Sequence, residues 1–180
     1  MEIENKKILL HACCAVCFGY PAQFLKFLKY EVVGYFYNPN IFPEEEFLRR
    51  RKELEDFCAK YNFELHSDNY TPEDFTAIGL EDEPERGKRC DKCFELRLSK
   101  TAQKAKELNI SQFTTTLTVS SHKDSEQIFN AACNLKMPDG VEFSVFDFKK
   151  NNGTKITNEI ARFNNLYRQD YCGCEYSIRN

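Results

Sequence analysis

The sequence predicts a doubly wound α/β fold, one domain spanning residues 1–180 on a mainly parallel, five-stranded sheet with helices on both faces. Three observations predict it. Short apolar or β-branched runs alternate with segments of helical periodicity along the whole chain. The first third reads β-α-β-α-β, and right-handed crossovers between such strands imply a parallel sheet. A chain of 180 residues, 42% of them hydrophobic, is long enough for one core.

The elements follow in order. Ile8 to His11 reads as a short buried strand, and Ala22 to Tyr30 as the next helix, with Phe24, Leu25, Phe27 and Leu28 on its buried side. Glu31 to Tyr37 is a second strand, stopped by Asn38-Pro39-Asn40. Pro43 and Glu44-Glu45-Glu46 open a helix that runs to Tyr61 through Phe47, Leu54, Phe57 and Cys58, the last a core residue. Phe63 to His66 alternates as a third strand, and Thr71-Pro72 caps a short helix. A loop over residues 79–88 leads to a long helix from Arg89 to Leu108. Phe113 to Val119 is the fourth strand, Asp124 to Leu135 a capped helix with Cys133 buried in it, Val141 to Asp147 the fifth strand, and Ile156 to Tyr167 the last helix.

Twenty-five basic and 28 acidic residues give a net charge of -3, so the global balance advertises neither nucleic acid nor membrane. Only local clusters can carry such a role: Arg49 to Lys52, Arg86 to Arg89, His122-Lys123 and Lys149-Lys150. The charged segment Met1 to Lys7 and the short apolar run before His11 make neither a signal-peptide core nor a membrane span, which predicts a cytoplasmic protein without membrane attachment. Nine cysteines in a reducing compartment point to metal ligation or redox chemistry rather than a disulfide framework.

Cys13, Cys14 and Cys17 fall in the turn after the first strand, at the carboxyl edge where open α/β sheets place their ligands. Cys13 and Cys14 are poorly placed for an ordinary disulfide, but suit one shared inorganic centre or two neighbouring ones. Cys90 and Cys93 form a CxxC at a helix N-terminus, where both thiols point the same way and the helix dipole favours the thiolate. Four thiolates saturate either zinc or a 4Fe-4S cluster; an adjacent cysteine pair is not a usual zinc knuckle, which favours iron-sulfur. Cys172-Gly173-Cys174 is either a reactive redox pair, its small ring made tolerable by glycine, or a source of further metal ligands. His11, in a strand, reads as a core histidine beside the metal rather than a general acid. Tyr37, Asn38 and Asn40 end a strand at the same edge and suit a base pocket, with His122 and Lys123 toward substrate phosphate. Arg49 to Lys52, Arg86 to Arg89 and Lys149-Lys150 are then candidates for backbone contacts.

The ordered set His11-Ala12-Cys13-Cys14, Tyr37-Asn38-Pro39-Asn40-Ile41, Gly87-Lys88-Arg89-Cys90 with Cys93 and Arg97-Leu98, Thr114-Thr115-Thr116-Leu117 with Ser120, His122 and Lys123, Asp147-Phe148-Lys149-Lys150 with Gly153, and Tyr167-Arg168-Gln169 with Tyr171-Cys172-Gly173-Cys174 resembles the epoxyqueuosine reductase family of the QueH type. The resemblance runs from about residue 8 to residue 177. It implies a HUP-like α/β domain and an oxidoreductase that reduces epoxyqueuosine at the tRNA wobble position to queuosine without cobalamin. It also implies a 4Fe-4S cluster on Cys13, Cys14, Cys90 and Cys93, a redox-active pair at Cys172 and Cys174, and a second metal ion, expected to be iron. The implied partners are tRNA carrying epoxyqueuosine and an external electron donor, with Tyr37, Asn38, Asn40, His122, Lys123, Lys149 and Arg168 as candidate substrate contacts. Two readings compete. An ATP-dependent tRNA-modifying enzyme needs a glycine- and serine-rich phosphate turn where this chain has residues 11–17. A zinc-stabilised nucleic-acid-binding module without catalysis needs only the thiolates.

Overall fold

The computed structural model describes residues 6–178; residues 1–5 of the charged N-terminal segment lie outside them. Five parallel strands form one sheet in the order β3-β2-β1-β4-β5, where β1 is Lys7–His11, β2 Glu31–Phe36, β3 Glu64–Ser67, β4 Gln112–Thr115 and β5 Glu142–Phe143. The helices are α1 (Ala15–Phe27), α2 (Glu44–Tyr61), α3 (Pro72–Thr76), α4 (Lys88–Glu107), α5 (Ser125–Cys133) and α6 (Gly153–Phe163). The winding turns back between β1 and β4, so the cleft beyond their carboxyl ends is the topological switch point.

Side chains alternate across the strands and split the core in two. Leu9, Val33, Tyr35 and Phe113 pack with Phe94 and Leu98 of α4 and Ile128 of α5. Ile8, Leu10, Val32 and Phe36 pack on the other side with Phe18 and Leu25 of α1 and Phe47, Leu54 and Phe57 of α2. The helix α6 lies against α1 at Gly19, where a Cβ would come 2.9 Å from Ile160.

Several predicted elements change shape. The helix α1 begins at Ala15 rather than Ala22, because Cys14 serves as its N-cap, its sulfur accepting the Cys17 N–H at 3.4 Å; Pro21 is carried inside the helix. Its buried stripe is Phe18, Ala22 and Leu25, which turns Phe27 and Leu28 to solvent. Pro43 occupies the cap of α2 rather than its first turn, and the Thr71 hydroxyl binds the Asp74 carboxylate, not a backbone N–H. The fourth strand stops at Thr115, whose hydroxyl accepts the Leu117 N–H at 3.1 Å and starts a 3-10 turn over Thr116–Val119. The fifth strand is cut to two residues because the Thr118 hydroxyl replaces a ladder partner, donating to the Phe146 carbonyl at 2.9 Å and accepting the Phe148 N–H at 3.2 Å. The last helix begins three residues early and ends at Phe163, closed by Asn165 in a left-handed conformation. Cys133 is exposed, at the end of α5, while Cys58 is buried as expected. No helix among the described residues is long and apolar enough to cross a membrane.

Candidate metal centre

The chain leaves the sheet at Ala12, whose N–H donates to the Tyr35 carbonyl at 2.8 Å, and turns at once into α1. Extended backbone at Cys14 and a helical turn from Ala15 bring three sulfurs together: those of Cys13, Cys14 and Cys17 lie within 4.8 Å of one another, and Cys13 and Cys14 are 3.9 Å apart. Donors surround the trio. The Gln169 side-chain amide reaches the Cys14 sulfur at 3.0 Å, and the Thr116 hydroxyl the Cys13 sulfur at 3.7 Å. Cys13, Cys17, Cys90, Cys93, Cys172 and Cys174 line one cavity of about 230 Å³ at the switch point.

The second wall is the start of α4, where Cys90 and Cys93 occupy the first turns and the Arg86 N–H donates to the Cys90 sulfur at 3.3 Å. The third wall is the loop of Cys172 to Cys174. Arg50 grips it: this buried guanidinium is paired with Glu46 at 2.6 Å and donates to the Cys172 carbonyl at 3.3 Å. Gly173, at φ +115°, fits because a Cβ there would stand 3.0 Å from the same guanidinium. Cys172 and Cys174 are free thiols in this structure.

Without metal, the trio shares its protons unequally. Hydrogen bonds from the neighbouring thiols of Cys14 and Cys17 hold Cys13 well below the ordinary thiol range, and those same contacts with Cys13 push Cys14 up to about 12 and Cys17 well up. Burial pushes Cys93 up to about 12 and raises Cys90, against the lowering expected from the helix N-terminus at the CxxC. His11 is a core residue: its ring nitrogens meet the Thr115 hydroxyl at 2.9 Å and the Tyr37 carbonyl at 3.1 Å, and burial lowers its pKa to about 3. At Lys123 desolvation is outweighed by the Cys172, Cys13 and Cys17 sulfurs, and the pKa is raised.

The model of the epoxyqueuosine reductase QueH family matches residues 8–180. Proteins named epoxyqueuosine reductase QueH are similar along nearly the whole chain. One from Streptococcus pyogenes serotype M1 is 38% identical over 187 residues, covering 99% of this chain and 72% of that protein. One from Histophilus somni is 37% identical, covering 98% and 74%, and one from Acinetobacter baylyi is 36% identical, covering 97% and 81%. The chain belongs to the QueH family. Its sheet and flanking helices are consistent with the HUP-like fold that the resemblance implies.

Within this QueH-family site the predicted contacts divide. Asn40, His122 and Lys123 line the cavity. Tyr37 and Asn38 stand behind it: the Tyr37 hydroxyl donates to Asp74 at 2.8 Å, while Asn38 donates to the Ala12 carbonyl at 2.9 Å and accepts from Arg97 at 2.6 Å. Lys149 donates to the Lys123 carbonyl, and Arg168, exposed, to Asn158 at 2.9 Å. In two of the basic clusters one arginine is withdrawn from the surface, while Arg86 and Lys88 stay exposed and Arg86 lines the cavity. Arg50 and Arg89 are buried because backbone oxygens satisfy them, that of distant Cys172 for Arg50 and those of Leu80, Glu81 and Glu83 in the adjoining loop for Arg89. Arg49 stacks on Tyr167, and Arg51 and Lys52 pair along α2 with Glu55 and Asp56. The residues that sequence reasoning leaves without a role are Cys17, Thr116, Gln169 and Arg97. Cys17 carries a signal, its spacing of three from Cys14, which becomes a contact only once the helix is known to start at Ala15.

Proposed function

We propose that this chain is a cobalamin-independent epoxyqueuosine reductase, acting as one α/β unit in the cytoplasm on tRNA that carries epoxyqueuosine. The observation that carries this reading is the convergence of six cysteines on one cavity with a seventh, Cys14, in sulfur contact behind Cys13. The donor set fits an iron-sulfur centre: all ligands are soft thiols, they are buried or half-buried, and N–H and O–H donors already point at them. Cys13, Cys14, Cys90 and Cys93 would hold a 4Fe-4S cluster, with a second metal, iron, beside it. Such a centre supplies electrons singly and a Lewis acid for oxygen.

Converting an epoxide to an alkene consumes two electrons and two protons and releases water. The cavity residues provide for the rest of that balance. Lys123 holds a proton at Nζ beside the sulfurs, Asn40 offers a buried amide whose oxygen has no partner among the described residues, and His122 stands exposed at the rim. Cys172 and Cys174 would return electrons drawn from an external donor. Phosphate-backbone contacts extend to a shallow groove lined by Lys149, Lys155 and Arg162, where Lys155 pairs with Glu159 at 4.0 Å and Lys149 joins the groove to the cavity wall at Lys123. Reversing charge at Lys155 and Arg162 should weaken tRNA binding and flatten its log-log salt dependence by about one for each phosphate left without its cation.

Anaerobic purification with iron and sulfide analysis, followed by turnover of epoxyqueuosine-containing tRNA, tests the reading. A brown protein that yields queuosine supports it; a colourless protein with stoichiometric zinc and no turnover replaces it with the zinc-stabilised binding module.

A further inference from the structure

Arg97 is the one large buried cation that the site leaves unexplained. It lies on α4 one turn after Cys93 and is 2% exposed. One amino group donates to Asn38 at 2.6 Å, and Asn38 in turn ties back to the carbonyl of Ala12, the residue before the sulfur trio. Among the described residues its Nε has no partner and no carboxylate lies within 4.0 Å of it. The other two buried arginines among the described residues are provided for, Arg50 by Glu46 and Arg89 by three carbonyls. A guanidinium taken out of water without an anion is costly, several kcal/mol on the usual scale. The cavity sulfurs are its neighbours in the fold: Arg97 lies at i, i+4 from Cys93 on α4, and Asn38 ties it to Ala12, the residue before Cys13.

We propose that Arg97 is a positioning residue for the metal centre, a permanent buried counter-charge that holds the converging thiolates and raises the reduction potential of the cluster they bind. The inference rests on the iron-sulfur reading above. Thiolates and inorganic sulfide bring excess negative charge, each added electron deepens it, and a fixed cation stabilises the reduced form more than the oxidised one. Arginine suits the task because it cannot lose its proton.

The test is a redox titration of the reconstituted cluster, followed by electron paramagnetic resonance, in the wild-type protein and three variants. Arg97→Met removes the charge. Asn38→Asp leaves Arg97 in place but neutralises it with a carboxylate of the same shape at the 2.6 Å contact, which keeps the question open to measurement if the methionine variant does not fold. Arg97→Lys keeps the charge. In Arg97→Met and Asn38→Asp the ratio of reduced to oxidised cluster at a fixed potential should fall about tenfold, about 59 mV for one electron, with the lysine variant near wild type. A fall under about threefold in both, in a wild type that does carry a cluster, reduces Arg97 to a structural prop and overturns the proposal. A wild-type protein that assembles no cluster overturns the iron-sulfur reading itself, and the counter-charge falls with it.

Discussion

The sulfur trio at the head of α1 and the sulfur pair around Gly173 reach one cavity by different means. The trio hangs directly on the central strand: Ala12 is bonded into the sheet, Cys14 caps a helix, and no ion pair is needed to bring the three sulfurs together. The pair sits on an irregular loop more than 150 residues later, held from outside by Arg50 and by the Gly173 carbonyl accepting the Phe42 N–H at 2.8 Å. Rigid sulfurs suit ligands whose spacing must not change. Sulfurs on a clamped loop suit a pair that changes bonding during turnover.

The sharpest way to break that contrast is to remove one sulfur from each group. Cys14→Ser should lose most bound iron and more than ~100-fold in turnover, beyond the usual cost of losing an outer-shell partner. Cys172→Ser should keep wild-type iron and sulfide, and equal metal loss in both variants would erase the distinction. Next in size, Arg50→Met strands the buried Glu46 carboxylate and should cost about 3–5 kcal/mol in urea unfolding, while iron content in the folded fraction holds.

Acidification probes the trio's anchorage through His11. Its pKa is about 3 in the folded state against 6.5 ordinarily, so between those values the unfolded chain binds a proton that the folded chain refuses. The contribution is complete above pH 6.5 and is lost as pH falls toward 3, at about 1.4 kcal/mol per unit. His11→Gln should flatten the pH dependence of unfolding by about 2 kcal/mol between pH 6.5 and 5 relative to wild type. The smallest effect belongs to Gly173→Ala, which should cost of order 1–2 kcal/mol for its backbone conformation and raise the alkylation rate of Cys172 and Cys174 as the loop loosens.

The sulfur contrast also separates what the sequence discloses from what it withholds. The β-α-β-α-β opening is legible because Ile8, Leu10, Phe47, Leu54 and Phe57 repeat with the periods of strand and helix. The second half blurs where side chains take over backbone hydrogen bonds: Thr115 and Thr118 look like strand residues by their branching, yet their hydroxyls end β4 and pre-empt β5. At the site, cysteines announce themselves by type and spacing. Arg50, Arg89 and Arg97 do not, since a cation in a charged run looks solvated until the carbonyl or amide that takes it in, 122 positions away for Arg50, is brought to it by the fold.

The place of β1 between β2 and β4 carries one more consequence. Bonded on both sides and fully covered, the amides of Leu9 to His11 should be among the last in the chain to exchange for deuterium. On the proposed iron-sulfur reading, chelation should leave their protection intact while exchange in the C-terminal loop quickens, which makes β1 the fixed datum of the site.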